Sequence, residues 1–197
     1  VQKGLGGFLV RNMESYGILD GMGLTSRIVL DANIYTMNNR AEAFWMKKGI
    51  LGDTVPLELN AKELVHRNNK NSELTVYGYT PMMVSVQCVQ KTMDHCNHAC
   101  AQYVLKDRYQ KEFRGVCSCE FCYNTIYNAL PTSLLKEKEK AENLGVKAYR
   151  LSFTTETRQE TEKIVRTFVA VYLKGQKPDG QMQTGETTKG HFQRGVE

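Results

Sequence analysis

The chemistry-bearing residues of this chain are concentrated in one stretch, Glu73 to Asn128. It holds all six cysteines: Cys88, Cys96, Cys100, Cys117, Cys119 and Cys122. Cys96-Asn97-His98-Ala99-Cys100 is a C-x-x-x-C step, a spacing that puts both sulfurs on one face of a helical turn. Cys119-Glu120-Phe121-Cys122 is a C-x-x-C step with Cys117 two residues before it. Such steps suit tight turns that aim two thiolates at one metal. Two close-set groups could close a four-thiolate shell around zinc or an iron–sulfur cluster. His95 and His98 flank Cys96 and could substitute as ligands, or simply stand on an exposed helix face. Three other readings compete. Disulfides need an oxidising compartment, and no signal peptide is visible. A redox pair would use Cys119 and Cys122 and leave four thiols unexplained. Unlinked core thiols are the third.

The elements that must position these groups follow from hydrophobic periodicity. Gly6–Val10, Arg27–Asp31, Thr54–Leu59, Leu74–Gly78 and Lys147–Phe153 read as strands, the third weakened by Pro56. Arg11–Met22 reads as a short helix or turn. Asn38–Lys48 reads as an amphipathic helix stopped by Gly49, and Ala61–Arg67 as a helix capped by Asn60 with Glu63 completing a capping box. Thr132 or Ser133 opens a charged helix to Leu144, and Thr155 or Thr157 caps a last one, Arg158–Leu173. Alternation at this spacing predicts right-handed βα units and a parallel sheet. The expected organisation is one domain over 1–197, with a Cys-rich segment at 73–128 and an irregular tail from 174. Chemistry in such folds sits at strand C-terminal ends. Asp31 and Glu58, each on an apolar strand, are the candidates there, while Asn60 reads as a cap.

Composition sets the bounds. The 197 residues, 41% hydrophobic and 24% charged, suffice for one sizeable core. No window approaches the roughly 18 apolar residues of a membrane span, so no membrane partner is expected. The net charge of +5 permits an anionic partner such as RNA without predicting one. No phosphate loop, G-x-S-x-G elbow or H-E-x-x-H is present. A buried strand directly after Val1 reads as the interior of a larger protein, whose remainder is then the first partner. Open sheet edges allow pairing with a second copy.

Several blocks resemble the U32 peptidase family, the collagenase-like proteases. They are Val76-Tyr77-Gly78-Tyr79-Thr80-Pro81-Met82-Met83 followed by Cys88, and Leu105-Lys106-Asp107-Arg108 with Phe113. Cys122-Tyr123-Asn124-Thr125-Ile126-Tyr127-Asn128, Leu144-Gly145-Val146 with Arg150-Leu151-Ser152-Phe153, and Gly190–Glu197 continue the series. The likeness covers nearly the whole chain. The His-Gly-Ala and Gly-x-Cys signature of shorter members is absent, which puts the chain beside longer, divergent relatives. The resemblance implies an α/β fold of parallel βα units, forming the C-terminal part of a TIM-like barrel with a Cys-rich insertion. It implies an intracellular bacterial, hence cytoplasmic, enzyme. By family label that enzyme is a peptidase, a hydrolase acting on a peptide. Other members are oxygen-independent hydroxylases of RNA bases or of a small aromatic quinone precursor, with a [4Fe–4S] cluster on four cysteines. Carried over, the ligands are Cys88, Cys96, Cys100 and Cys122, with Cys117 and Cys119 as extra thiols. Asp31, Glu58, Arg150 and His191 become the polar catalytic candidates. A non-catalytic, zinc- or cysteine-stapled subdomain is the competing class.

Overall fold

The structure, a computed structural model, describes residues 4–93, 96–179 and 185–195. In chain order the elements are β1 (Phe8–Val10), α1 (Met13–Gly21), β2 (Ile28–Leu30), α2 (Asn39–Lys47), β3 (Gly52–Thr54), α3 (Ala61–Leu64) and β4 (Ser72–Gly78). Then follow β5 (Pro81–Ser85), α4 (Val89–Thr92), β6 (Gln102–Lys106), β7 (Glu112–Ser118), β8 (Tyr123–Tyr127) and β9 (Thr132–Ser133). The series closes with α5 (Lys138–Asn143), β10 (Ala148–Ser152) and α6 (Arg158–Phe168). The chain divides into two compact units. The first comprises residues 1–76, 134–151 and 189–197, and the second comprises 77–133 and 152–188. Among the described residues no helix is long and apolar enough to cross a membrane.

Local chemistry explains the helices. Asn12 and Asn38 accept hydrogen bonds from the first-turn amides of α1 and α2, satisfying donors that a helix start leaves orphaned. Asn60 with Glu63 and Thr157 with Glu160 form the two capping boxes of α3 and α6. Helix α3 stops at Leu64 rather than running to Arg67. The Arg67 side chain is instead drawn into a buried network described below.

In the first unit β1, β2, β3, β4 and β10 are neighbours in that order. The first three pairs are parallel: Val10 lies opposite Leu30, Leu30 opposite Asp53, and Asp53 opposite Ser72. Val10, Ile28 and Leu30 pack against Tyr16 of α1, Trp45 of α2 and Ile50. The Tyr16 and Trp45 rings meet edge-on, with centroids 4.8 Å apart, a geometry favoured by the ring quadrupoles. Where this row reaches β3 and β4 it turns polar. Asp53 and Arg67, each with a side chain 2% exposed, form an ion pair. Ser72 Oγ donates to Asp53 Oδ1 at 2.6 Å, and Thr36 Oγ1 donates to Oδ2. Arg67 donates to the Thr36 carbonyl at 2.8 Å and to Asn69 Oδ1 at 2.9 Å. A buried charge pair is tolerable only when its remaining hydrogen-bonding capacity is met in this way.

In the second unit β5–β8–β7–β6 form an antiparallel sheet. Tyr77, Phe153 and Phe168 make a separate aromatic core, with Tyr77 centroids 5.7 and 5.9 Å from the other two rings. Burial first, and the Glu156 carboxylate second, push the Tyr77 phenol far up.

The α/β class holds, but the C-terminal part of a TIM-like barrel does not. An eight-fold barrel repeats parallel strands, each followed by a helix. Where a further parallel βα unit would follow β4, the Cys-rich segment folds as the antiparallel sheet, and β9 returns antiparallel onto Tyr77 and Gly78 before β10 rejoins the first sheet beside β4. The third strand is also shorter and earlier than expected, Gly52–Thr54. Pro56 has no N–H to extend the ladder, so Glu58 lies in the loop beyond it.

Glu137, with a side chain 9% exposed, receives Lys140 Nζ at 2.6 Å and the Lys189 ammonium on its other oxygen. These bonds, Lys140 first and Lys189 second, hold its carboxyl below the ordinary value against the opposing effect of burial. A carboxylate with a lowered folded pKa stabilises above its unfolded pKa, and that stabilisation is lost as pH falls through the folded one. Glu137→Gln is therefore expected to lower the urea midpoint at pH 7, by an equivalent of about 1 kcal/mol, and to match the parent by about pH 3. Arg67→Met leaves Asp53 buried without its countercharge and is expected to cost about 3–5 kcal/mol in the same assay. A loss under about 1 kcal/mol would show the pair to be dispensable.

Candidate functional site

The second unit gathers the thiols. All six cysteines are free. Cys117, on β7, is 1% exposed, and its Sγ donates to Asn124 Oδ1 at 2.9 Å. Asn124, on β8 and equally buried, donates from Nδ2 to the Gln87 carbonyl at 2.8 Å. One amide side chain thereby ties β7 to the peptide that precedes Cys88. Cys88 itself occupies the N-cap position of α4, and its sulfur is a neighbour that acts on the Cys117 thiol.

Cys119 is the hub of the group. Its Sγ donates to the Ala99 carbonyl at 2.8 Å. Partial burial first, then the neighbouring sulfurs of Cys100, Cys88, Cys96 and Cys122, push its thiol above the usual value. Cys117 is raised as well, by burial first and then by Cys88 and Cys119. The Cys119–Cys122 turn ends with Cys122 at φ 52°, the left-handed region that non-glycine residues seldom adopt. Local strain of this sort concentrates where side-chain aim matters.

Cys96–Cys100 is not the helical turn expected from its spacing. Asn97 Oδ1 accepts from the Ala99 amide at 3.0 Å, and His98 takes φ 56°, so the segment bends instead. His98 is exposed, and His95 lies outside the described residues. Among the described residues no group of three or more His, Cys, Asp or Glu is already disposed to hold a metal ion. The donor chemistry nonetheless fits a thiophilic guest. Four sulfurs influence Cys119, no disulfide competes, and the Tyr103 hydroxyl is buried without a partner. Cys88, Cys96, Cys100, Cys119 and Cys122 are the residues able to supply ligands. Cys117 is committed to Asn124.

The first unit carries a second polar group. On the sheet face opposite Leu30, Asp53 and Ser72, the alternation of side chains lines up Asp31, Thr54 and Glu73. Arg150 of β10 crosses this row, donating to Asp31 Oδ1 at 2.8 Å, to Thr54 Oγ1 at 2.9 Å and to Glu73. Thr54 donates to Glu73 at 2.9 Å, and Arg11 Nε lies 3.0 Å from the other Asp31 oxygen. Asp31 and Arg150 are thus brought together, and Arg11, Thr54 and Glu73 are partners that sequence reading did not single out. Each carboxylate is matched by a guanidinium, leaving Asp31 without an unengaged oxygen.

The other two polar candidates stand apart from this row. Glu58 has an oxygen buried without a partner, and His191 is exposed, its Nδ1 2.8 Å from the Gly195 carbonyl in a terminal turn. Asn124 was legible only as one residue of a short block following Cys122; nothing in its type announces a thiol partner.

Differential alkylation checks the arrangement. In reduced native protein, iodoacetamide should label exposed Cys96, Cys100 and Cys122 first, and Cys88 and Cys117 at least about ten times more slowly. Equal rates at Cys117 and Cys122, mapped by mass spectrometry, would show that the buried pair is not formed. No protein-family model, curated protein or solved structure matches this chain.

Proposed function

We propose that this chain is part of a U32-type enzyme whose thiol group holds a [4Fe–4S] cluster, and that the enzyme performs oxygen-independent redox chemistry. The observation that carries the reading is the convergence of Cys88, Cys96, Cys100 and Cys122 on Cys119. Four thiolates are the usual ligand complement of such a cluster, and the buried pair Cys88–Cys117 offers the low-solvent side that tunes its potential. When bound, the cluster supplies electron transfer or substrate activation. The chain's own residues orient the sulfurs and exclude water on the Asn124 side.

Hydroxylation of an RNA base or a small aromatic precursor suits this chemistry better than peptide hydrolysis. Of the two carboxylate candidates, Asp31 has both oxygens occupied by Arg150 and Arg11, which disfavours it as the base of a peptidase. The rest of the parent protein completes the enzyme. Six free thiols suit a reducing cytoplasm.

Iron, zinc and acid-labile sulfide in protein purified and reconstituted without oxygen test the proposal. The expected result is about four iron and four sulfide per chain, a broad visible absorption, and loss of both on Cys119→Ala. Stoichiometric zinc without sulfide would replace the redox reading with a structural four-thiolate site, since such a shell leaves no open ligand position. Protein that retains neither would overturn both.

A further inference from the structure

The antiparallel sheet ends on two very different edges. Its strand order is β5–β8–β7–β6, so β5 and β6 each pair on one side only, and among the described residues no other strand lies beside either. A bare edge offers a row of unpaired N–H and C=O groups, and proteins blunt it with charge, proline or bulges. Strand β6 is blunted by charge. It ends on Lys106, whose ammonium lies 3.0 Å from the Glu112 carboxylate across the hairpin, and it runs into Asp107, Arg108 and Lys111 of the turn.

Strand β5 lacks that protection. From Thr80 to Gln90, eleven consecutive residues, there is no charged side chain. Met82 is 61% exposed, Val84 65%, and Val86, just past the strand, 87%. Pro81 and the register shift between Pro81 and Met83 protect only the first residues. Val84 and Ser85 pair regularly with Thr125 and Asn124, so this half keeps a ladder geometry onto which a further strand can be added. Single exposed apolar residues are ordinary, but a run of them along one unpaired edge marks an interaction surface.

The chemistry of the edge selects its occupant. Unpaired backbone groups along a sheet edge are met by another strand. Two copies of the sheet can join edge to edge in three ways. Pairing β5 with β6 lays Lys106 of one copy against the apolar run of the other, and it repeats head to tail without closing. Pairing β6 with β6 sets Lys106 into the new ladder twice, and an edge lysine opposes such pairing. Pairing β5 with β5 alone brings no charge against the partner strand. It also consumes the same edge on both copies, so association stops at two.

We infer that β5 is a homodimerisation edge: two copies of this chain pair their β5 strands antiparallel about a two-fold axis at Val84, joining two four-stranded sheets into one of eight. Val84 then lies beside its own copy, Met83 faces Ser85, and Met82 faces Val86, cross-strand pairs of the kind that stabilise a sheet. This inference is independent of what the thiols hold.

Sedimentation velocity of the full chain, kept in reductant so that no intermolecular disulfide joins copies, tests it. An edge contact is small, so the expected result is a reversible monomer–dimer equilibrium between about 1 and 100 μM. Val84→Lys sets two ammonium groups against each other at the axis and is expected to weaken the dimer at least about tenfold. Val86→Lys should weaken it as well, and carries the test if Val84→Lys fails to fold. Val104→Lys, on the opposite edge and also exposed, should dimerise like the parent. Hydrogen exchange should show the amides of Met83 to Val86 protected in the dimer and released on dilution. A chain that stays monomeric at about 100 μM, species that grow beyond the dimer, a dimer equally tight in both β5 variants, or one weakened as much by Val104→Lys would each overturn the inference.

Discussion

Much of the first unit depends on burying a charge pair. Asp53 and Arg67 are nearly inaccessible to water, and moving either ion there alone would cost several kcal/mol. The surrounding polar atoms of Thr36, Asn69 and Ser72 meet the demand, and with the pair itself the network draws on three separate stretches of the chain, at 36, 53 and 67–72. Because side chains alternate along a strand, a slip of one residue would turn Asp53 to the other sheet face and leave Arg67 uncompensated. The pair therefore specifies register between β3 and β4. That register in turn places Thr54 beside Glu73 on the opposite face, where Arg150 and Asp31 join them. One buried network thus determines where a second, more accessible one is assembled.

The second unit solves a different problem. Cysteines separated by as many as thirty-three residues must approach one another without being oxidised into disulfides or scattered among unrelated packing positions. The antiparallel sheet does this with residues that are not cysteines. Asn124 joins β7 to the segment before Cys88, the bend at His98 presents Ala99 to Cys119, and the left-handed Cys122 closes the short turn back into β8. The thiols are graded in exposure, with two inside the sheet surface and three at the rim. Burial first, and neighbouring sulfurs after it, raise the Cys117 and Cys119 thiols.

Much of this was legible in the sequence, and the failures have identifiable causes. Asparagine and threonine caps followed by glutamate announced α3 and α6, and short β-rich runs announced β1, β2, β4 and β10. The six cysteines marked out the segment that folds as the antiparallel sheet. What periodicity could not show was pairing direction beyond Gly78. Strands β6, β7 and β8 carry the alternation expected of half-buried antiparallel strands, but the cysteine spacing dominated that stretch and suggested ligand turns instead. The C-x-x-x-C step misled because Asn97 forms its own local hydrogen bond, which competes with a helix. Buried polar partners were illegible for a more general reason. Asp53, Arg67 and Asn124 are ordinary residue types whose importance comes from neighbours distant along the chain, and no local pattern encodes those neighbours.

Nesting of the two units has a consequence for synthesis. Lys189, which closes onto Glu137, and Gly195, which lies against Asn60, belong to the same unit as the first strands. All of the thiol-bearing unit lies between those segments. On a ribosome, where N-terminal parts ordinarily fold first, the opening βα units must wait for nearly the whole remaining chain before their last tether emerges. The thiol sheet, whose strands are close neighbours in sequence, is complete well before that. Its sulfurs can be captured, or oxidised, while the flanking unit is still unfinished.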